Sequence, residues 1–522
     1  MKYLIEQLKI PVENFIPPEI YLKKLIPNIK SIKILKKAID ARHKQNIKFI
    51  YNILFTTDKN IPIKTLTELK NQFSINEHNI TLNNSYDALF SKSFNKKPPI
   101  IIGFGPAGIF AALKLLEHGV IPQVFERGKA VEERVKDVND FWQTGNLNPK
   151  SNVLFGEGGA GTFSDGKLTT QINNPLNIWV KEKLVEFGAP PEILYEAKPH
   201  IGSDKLQKVL LNIRKHCQEK GVTFHFNSKL TDIIIHNNSI TEIVINDKEI
   251  HKCTNLFLAI GHSAHDTYEM LYKKGLDLEP KPFAIGFRIE HAQELINQIQ
   301  YGDKFKNNPL LGPASYKLTY RATNGRSVFT FCMCPGGQII CSSNQPNRLV
   351  INGMSNFERN SGKANSAIVV GVTPDDYLKG SPLDGVTYIK HFEEQAFLLS
   401  EKPFFAPTQF AKDFIAKKAS RNQKNLHSIF PNYINSAISE ALLSFENKMK
   451  GFLSSNPILF GVETRTSSPV RIPRNENREH IRIQGLYPIG EGSGQAGGIM
   501  SSALDGINSV LALTRKTYSN PD

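Results

Sequence analysis

The chain has 522 residues, 40% of them apolar and 22% charged, which is the composition of a globular protein with two to four domains. No apolar run approaches ~20 residues and no cleavage site follows the start of the chain, so we expect no membrane span and no signal peptide. Five cysteines are too few for a disulfide scaffold and, in a chain of this size, indicate a cytoplasmic protein.

A small basic α/β module is expected at residues 1–95. The first 98 residues hold 17 Lys and Arg against 8 Asp and Glu, and so carry +9 of the formal net charge of +15. The pattern of Leu35, Ile39 and Arg42 predicts a helix, and the apolar run at 47–55 predicts a buried strand. The charge fits binding of nucleic acid or of an acidic partner. No aromatic-interleaved motif accompanies it, so we favour a solvated basic surface.

A dinucleotide-binding fingerprint follows this module. The apolar run 100–102 leads into Gly103, Gly105 and Gly108, which have G-x-G-x-x-G spacing, then into a helical pattern and a second apolar run that ends at Glu126. In this context the first glycine permits a tight turn, the second lets backbone amides reach a pyrophosphate, and the third lets the helix lie close to the sheet. The terminal acid can accept both ribose hydroxyls. The alternative is an ordinary glycine-rich β-α-β turn, which the flanking strands and the acid disfavour.

Further elements continue this core and surround an insertion. In the first part of the core, 96–275, we predict a helix at 131–142, a glycine-dense loop at 155–167, a helix at 203–220, a strand at 222–226, a β-meander at 229–251 and a buried strand at 254–260. Several strand-like runs with helices near 289–300, 390–400 and 434–447 predict an inserted α+β cap or substrate domain over 276–460. The core resumes over 461–522. The predicted fold class is α/β, with a discontinuous Rossmann-type core.

A second glycine-rich segment, roughly 390 residues after the first, favours FAD over NAD as the cofactor. A strand ends at Gly490 and Glu491, and a glycine-rich turn then leads into a helix that contains Ile499. The carboxylate suits the hydroxyls of a ribityl chain, and the start of the helix can face the flavin edge where charge builds on reduction. A glycine-rich connection without a ligand is the alternative. No second strand–GxGxxG–helix unit is present, so any NAD(P)H would dock transiently in the flavin cleft.

Sequence motifs from about residue 30 onwards, over nearly the whole chain, resemble one family. They are LKKAIDAR (35–42), GFGPAG (103–108), FGEGGAGTFSDGKL (155–168), LAIGHSAHDTYEML (258–271), FCMCPGG (331–337), NGMS (352–355), ANSAIVV (364–370), VETRTSSPVRI (462–472) and GEGSGQAGGIMSSALDG (490–506). In these motifs the chain resembles the FAD-dependent dehydrogenase family, often labelled NAD(FAD)-utilising dehydrogenases, within the two-dinucleotide-fold flavoproteins. Two positions depart from the pattern: Glu491 stands where many flavoproteins have Asp, which this family tolerates, and His265 stands where we expect Arg.

The resemblance implies how the cofactor is held. The loop 157–167 should wrap the flavin and pyrophosphate, strand 228–231 should meet the adenine through backbone groups, and the return strand should close beside the cofactor. Together with the fingerprint, this gives the predicted FAD-binding residues: Gly103, Gly105, Pro106, Ala107, Gly108, Glu126, Arg127, Gly158, Gly159, Ala160, Gly161, Thr162, Ser164, Lys167, Leu230, Gly261, Gly490, Glu491, Gly497, Gly498 and Ile499.

Three residues are predicted to take part in catalysis: Arg465, Lys167 and Cys334. Arg465 lies in a Thr/Ser-rich turn and could orient an anionic substrate or stabilise reduced flavin, and a structural salt bridge between cap and core is the equally open alternative. Cys332 and Cys334 at i and i+2 of a strand would point the same way, with Cα atoms about 6.6 Å apart, near the upper limit of ~6.8 Å for a disulfide. A redox dithiol is one interpretation, and we favour a thiol-lined strand near the flavin.

The expected function is that of an FAD-dependent oxidoreductase. The flavin would accept a hydride or electrons from a small-molecule donor held between core and cap, and pass them to an acceptor. One alternative is an FAD-dependent monooxygenase or halogenase that uses NAD(P)H and oxygen. Another is an RNA- or protein-binding factor that retains FAD structurally. We expect no metal site, because His262 and His265 form an HxxH pattern without an acidic or Cys partner.

Overall fold

The computed structural model describes residues 1–26, 28–58, 61, 74–77, 98–420 and 423–519. The strands are β1 Lys2–Pro11, β2 Ile29–Asp40, β3 Lys48–Thr57, β4 Ser74–Glu77, β5 Ile100–Ile102, β6 Gln123–Phe125, β7 Thr223–His225, β8 Leu230–His236, β9 Ser239–Ile245, β10 Glu249–Lys252, β11 Leu256–Leu258, β12 Glu279–Pro280, β13 Phe283–Ala292, β14 Thr319–Arg321, β15 Ser327–Cys334, β16 Gln338–Cys341, β17 Ile351–Met354, β18 Lys363–Val372, β19 Thr408–Phe410, β20 Ile458–Glu463, β21 Val470–Arg471 and β22 Leu486–Pro488.

The helices are named below by their bounds. They are Pro18–Leu25, Pro106–Glu117, Val131–Thr144, Leu176–Glu186, Ser203–Glu219, His265–Lys273, Gln293–Tyr301, Pro374–Tyr377, Asp384–Leu399, Ala411–Ile415, Asn432–Lys448 and Ile499–Ser519. Short 3₁₀ turns lie at Gly159–Phe163, Pro191–Leu194, Leu426–Ser428 and Glu491–Ser493. Of the helices in the described ranges, none is long and apolar enough to cross a membrane.

The N-terminal module contains a four-stranded antiparallel sheet in the order β2-β3-β1-β4. The predicted strand at 47–55 is confirmed as β3, where every second residue is buried, including Phe49 and Phe55. The helix Pro18–Leu25 adds Leu22 to the same hydrophobic cluster, which also includes residues of the inserted domain such as Tyr301. The module therefore packs on the rest of the protein rather than standing apart from it.

The helix predicted around Leu35 and Ile39 is wrong, because these residues lie in β2. This edge strand pairs with β3 as far as Asp40, and its register shifts between Ile34 and Lys36, so that Leu35 is the extra residue of a bulge. Leu35 and Ile39 are 39% and 41% exposed. A bulge interrupts the alternation that marks a strand, and here it produced an apolar spacing that imitates a helix face.

The cofactor-type core is a five-stranded parallel sheet in the order β22-β11-β5-β6-β7. All three residues of β5 are buried, as expected for a strand covered on both faces. The helices Pro106–Glu117 and Ile499–Ser519 lie against each other beside this sheet, although their sequences are far apart. The strand β22 and the second helix show that the C-terminal segment completes the core, as predicted.

An antiparallel meander, β8-β9-β10, adjoins the core, and the insertion forms a second large sheet. This sheet has six antiparallel strands in the order β14-β15-β18-β13-β20-β19. The predicted cap helices are confirmed as Gln293–Tyr301, Asp384–Leu399 and Asn432–Lys448. Since β20 runs to Glu463, the cap sheet continues three residues past the boundary expected at residue 460.

Candidate cofactor site

A deep cleft lies at the carboxyl ends of the parallel strands β5, β6 and β11 and extends to the cap. Its volume is about 1540 Å³, which includes space that is open to solvent. Most of the residues predicted to bind FAD line it: Gly103, Gly105, Pro106, Ala107, Glu126, Arg127, Gly159, Ala160, Gly161, Ser164, Lys167, Leu230, Gly261, Gly490, Glu491, Gly497, Gly498 and Ile499. The structure thus brings the two glycine-rich segments together at one site, at the sheet edge where ligands of open α/β folds bind.

The glycine turn after β5 has the conformation that its spacing predicts. Gly103 has a φ of +92°, and a Cβ there would lie 2.4 Å from the Ala259 carbonyl oxygen. Gly108 does not line the cleft, because its place is beneath the helix, where a Cβ would lie 2.1 Å from the Gly103 carbonyl oxygen. Gly105 faces the cleft and precedes the helix Pro106–Glu117, whose first turn receives no side-chain cap. The free amides of that turn can therefore bind an anion.

The Glu126 carboxylate lies 5% exposed at the end of β6 and organises three loops. It accepts backbone hydrogen bonds from Phe104 at 2.8 Å, Gly128 at 2.9 Å and Gly156 at 3.0 Å. A carboxylate offers about four lone-pair positions, so these bonds leave limited capacity for a ribose. The ribose contact stays a prediction, and the structural role of this residue was missed by sequence reasoning.

Arg134 holds the glycine-dense loop in place. It is fully buried on the helix Val131–Thr144 and donates to the carbonyl oxygens of Asn152, Val153 and Glu157 at 2.6–2.8 Å. It also donates to the Thr162 hydroxyl at 3.1 Å. Burial lowers the pKa of Arg134 to about 10, so the guanidinium stays charged at neutral pH.

Two predicted cofactor contacts in this loop lie outside the cleft lining. The Thr162 hydroxyl is buried and donates to the Glu157 carbonyl oxygen at 3.2 Å. A Cβ at Gly158 would lie 2.3 Å from Leu210, so this glycine serves the packing of the loop on a helix. Ser164 and Lys167 of the same loop do line the cleft.

The Glu491 carboxylate is held in the cleft by two polar partners. One oxygen lies 2.9 Å from His262 Nδ1, and the other accepts the Gly498 amide at 2.9 Å. Burial alone would raise the pKa of Glu491, but His262 and the amide outweigh it, and the net pKa lies below its ordinary value. The residue is therefore an anion that can accept hydroxyl hydrogen bonds. In the sequence, His262 suggests only an incomplete metal-binding pattern. Its position directly after Gly261, which the resemblance places beside the cofactor, is the signal that could have indicated a role in the cleft.

Arg465 lines the cleft but is already paired. Its guanidinium donates two hydrogen bonds of 2.7 Å to Glu393, which is fully buried, and a third of 2.7 Å to Asn344. Both partners belong to the cap. This arrangement matches the salt-bridge alternative more closely than a free anion-binding guanidinium, and a catalytic role for Arg465 remains a prediction.

At the cap side of the cleft, Lys167 of the core contacts the strand β15, which carries Cys332 and Cys334. Lys167 donates to the carbonyl oxygen of Met333 and lies 3.4 Å from Asp165. Cys332 lines the cleft, whereas Cys334 is fully buried and does not. A bulge interrupts β15 at this place, so the regular strand spacing assumed for the two cysteines does not hold there. Cys334, the predicted catalytic thiol, can therefore act at the cleft only through Cys332.

Two comparisons with known proteins bear on the family of this chain. Residues 282–466 match the family described as "FAD-dependent protein, C-terminal domain-like". A protein of Clostridium beijerinckii, described as uncharacterized, is 43% identical over 495 residues, covering 92% of this chain and 91% of that protein.

Solved structures with a similar arrangement are more distant in sequence. Glycine oxidase from Bacillus cereus is 12% identical, covers 81% of this chain and 96% of its own, and has a TM-score of 0.35. The halogenase PltM is 11% identical, covers 81% of this chain and 70% of its own, and has a TM-score of 0.38.

Proposed function

Since the chain belongs to the same family as the Clostridium beijerinckii protein and contains the C-terminal domain of FAD-dependent proteins, we propose that it is an FAD-dependent oxidoreductase acting as a dehydrogenase. In this proposal a small-molecule donor binds between core and cap and gives up two electrons, which then pass to a separate acceptor. One observation carries it: both glycine-rich segments line a single cleft that the cap residues Phe331 and Cys332 also line.

FAD is the cofactor, and the residues of the cleft fit it. The uncapped helix start at Gly105 offers amide donors to the pyrophosphate, and Glu126 lies at the end of β6, where a ribose is expected. The anionic Glu491 lines the cleft at the other glycine-rich segment together with the backbone of Gly497 and Gly498, where its carboxylate suits the hydroxyls of the ribityl chain. When bound, FAD supplies a two-electron acceptor.

The side chains of this protein position and neutralise charge around the reacting region. Burial alone would lower the pKa of Lys167, but the neighbouring Cys334, Cys332 and Asp165 outweigh it and raise the net pKa above its ordinary value. The Lys167 ammonium therefore keeps its protons at Nζ and supplies a positive charge where an anionic substrate or a reduced flavin would lie. His262, hydrogen-bonded to Glu491 through Nδ1, fixes the carboxylate in the orientation that hydroxyl groups need.

The cap supports a substrate-binding role. Phe331 is 37% exposed and lines the cleft, so it offers an apolar surface next to the polar Asn352 and Thr466. Small-molecule sites commonly combine one apolar wall with a few polar groups that fix orientation. The donor that fits such a wall is a small organic molecule with both apolar and polar parts.

The test is to purify the protein and identify its cofactor and its reaction. We expect one FAD per chain and no FMN when the cofactor is released and analysed by chromatography and mass spectrometry. Candidate donors, including NAD(P)H, are then mixed anaerobically with the protein while flavin absorbance is followed. FMN, or no flavin after reconstitution, would refute the proposal. Oxygen-dependent hydroxylation or halogenation of a donor would support the monooxygenase or halogenase alternative instead.

A further inference from the structure

Two thiols at the end of β15 lie at the cap side of the cofactor cleft. The pairing of β15 with β18 shifts register between Phe331 and Cys334, and Cys332 has a φ of +43° in the bulge. A positive φ is uncommon for a residue other than glycine, and outliers of this kind cluster at functional sites. The bulge directs Cys332 to the cleft while Cys334 stays buried behind it.

Polar contacts tie the two cysteines to each other and to two cations. Cys334 Sγ lies 3.3 Å from the Cys332 carbonyl oxygen, to which the thiol can donate. The Arg288 guanidinium donates to the same oxygen at 3.3 and 3.4 Å, and Lys167 donates to the carbonyl oxygen of Met333 between the cysteines. The Lys167 ammonium and the Arg288 guanidinium, which also forms an ion pair with Glu463, therefore lie next to the backbone that carries the thiol facing the cleft.

These contacts separate the acidities of the two thiols. A separate hydrogen bond between the two thiol groups, together with the charges of Lys167 and Arg288, lowers the pKa of Cys332 well below its ordinary value. The same hydrogen bond and burial raise the pKa of Cys334. By contrast, burial raises the pKa of Cys341 to about 11 and that of Cys217 to about 12. One thiolate next to one thiol is the arrangement of a reactive pair, whereas the other two groups stay protonated.

We propose that Cys332 and Cys334 are a redox-active pair that takes two electrons from reduced FAD and passes them to a disulfide substrate. This inference rests on the proposed FAD-dependent oxidoreductase function and names its acceptor class. The cations beside Cys332 stabilise the reduced pair, so its disulfide accepts electrons readily. The cleft position of Cys332 lets it meet both the cofactor and a substrate.

The chemistry balances in two steps. First, the Cys332–Cys334 disulfide bond breaks as two electrons and a proton arrive from reduced FAD. Cys332 becomes a thiolate, Cys334 becomes a thiol, and FAD is left oxidised. Second, Cys332 Sγ attacks one sulfur of the disulfide substrate and releases the first thiolate. Cys334 Sγ then displaces the second thiolate from Cys332, and its proton goes to a released thiolate.

The first experiment measures the thiols without using the cofactor. The holoprotein is treated with bis(2-hydroxyethyl) disulfide, denatured and alkylated, and each cysteine is read by mass spectrometry. We expect Cys332 and Cys334 to become resistant to alkylation together, and Cys341 to stay alkylatable. In the native protein at pH 6, Cys332 should react with iodoacetamide at least tenfold faster than Cys341. Independent free thiols at 332 and 334 after disulfide treatment would overturn the pair.

The second experiment counts electrons. Disulfide-treated holoprotein is titrated anaerobically with dithionite while flavin absorbance is recorded. We expect four electrons per FAD in the original protein and in the matched control Cys341→Ser, and two in Cys332→Ser and in Cys334→Ser. Two electrons in the original protein would overturn the transfer to the thiols while leaving the FAD oxidoreductase intact. A protein that binds no FAD would overturn the proposed function and this transfer with it.

Discussion

Gly105→Ala separates cofactor binding from folding more cleanly than any other change in the glycine turn. The residue has a φ of −83°, which alanine adopts freely. A Cβ there would meet only Gly159, at 3.6 Å from its Cα and 3.9 Å from its nitrogen, which is ordinary van der Waals contact. The protein can therefore accommodate the methyl group, whereas a pyrophosphate that approaches the helix start cannot.

We expect Gly105→Ala to weaken FAD binding and to leave the stability of the protein unchanged. Crowding of one methyl group against a close-packed ligand costs about 1–3 kcal/mol, so the dissociation constant should rise about tenfold to a hundredfold. Gly105→Val should abolish binding. The unfolding free energy of the protein without FAD should change by less than about 0.5 kcal/mol, as for a surface substitution.

Two further variants make the assay decisive. Gly108→Ala places its Cβ 2.1 Å from the Gly103 carbonyl oxygen, so it should lower the unfolding free energy by about 3 kcal/mol or more. Gly371→Ala, whose Cβ would have a single neighbour at 3.9 Å, should change neither quantity. FAD affinity is measured by fluorescence titration and stability by chemical denaturation. An unchanged FAD affinity in Gly105→Ala, or a loss of stability equal to that of Gly108→Ala, would refute the assignment of the phosphate loop.

Three other changes test the buried charges. Glu126→Ala should weaken FAD binding and also lower the unfolding free energy by about 2–4 kcal/mol, because buried backbone amides lose their acceptor; denaturation without FAD showing full stability would contradict this. Arg465→Ala leaves Glu393 buried and unpaired, so it should cost about 3–5 kcal/mol in thermal or chemical denaturation, with an unchanged reduction rate per folded molecule; a slower rate at full stability would instead place it in catalysis. Burial raises the pKa of Glu157 to about 7, so stability should fall by up to about 3 kcal/mol as pH rises from about 4.5 through 7. Glu157→Gln should remove that fall, and a pH profile identical to the original protein would count against the buried carboxyl as its cause.

Local patterns predicted the cofactor side of the site because its chemistry depends on short spacings. Gly103 turns the chain with a positive φ, and Gly108 packs against Gly103 within the same strand–turn–helix unit, so their spacing indicated where each would lie. The second glycine-rich segment lines the same cleft, and its glycine spacing marks it in the same way. Both segments depend on backbone approach, which glycine marks directly in a sequence.

The cap side was predicted less well because it depends on partners from distant parts of the chain. Nothing near Arg465 indicates that Glu393 pairs with it, and nothing near Arg134 indicates that it holds the loop beyond residue 151. The bulge at Cys332 arises from pairing with β18, so the sequence did not indicate that Cys332 rather than Cys334 would line the cleft. Bulges leave no clear spacing in the sequence, and the misassigned helix around Leu35 has the same origin.

The split construction of the core also determines when this protein can first hold its cofactor during synthesis. The fingerprint at β5 leaves the ribosome first, and β22 and the helix Ile499–Ser519, which flank the same cleft, follow roughly 390 residues later. At ~5–20 residues per second, the first half of the site waits roughly 20–80 seconds for the second. During that interval the helix Pro106–Glu117 lacks its packing partner Ile499–Ser519. A nascent or truncated chain that ends before Gly490 therefore lacks one of the two glycine-rich segments that line the cleft, and bound FAD reports that translation has passed this segment.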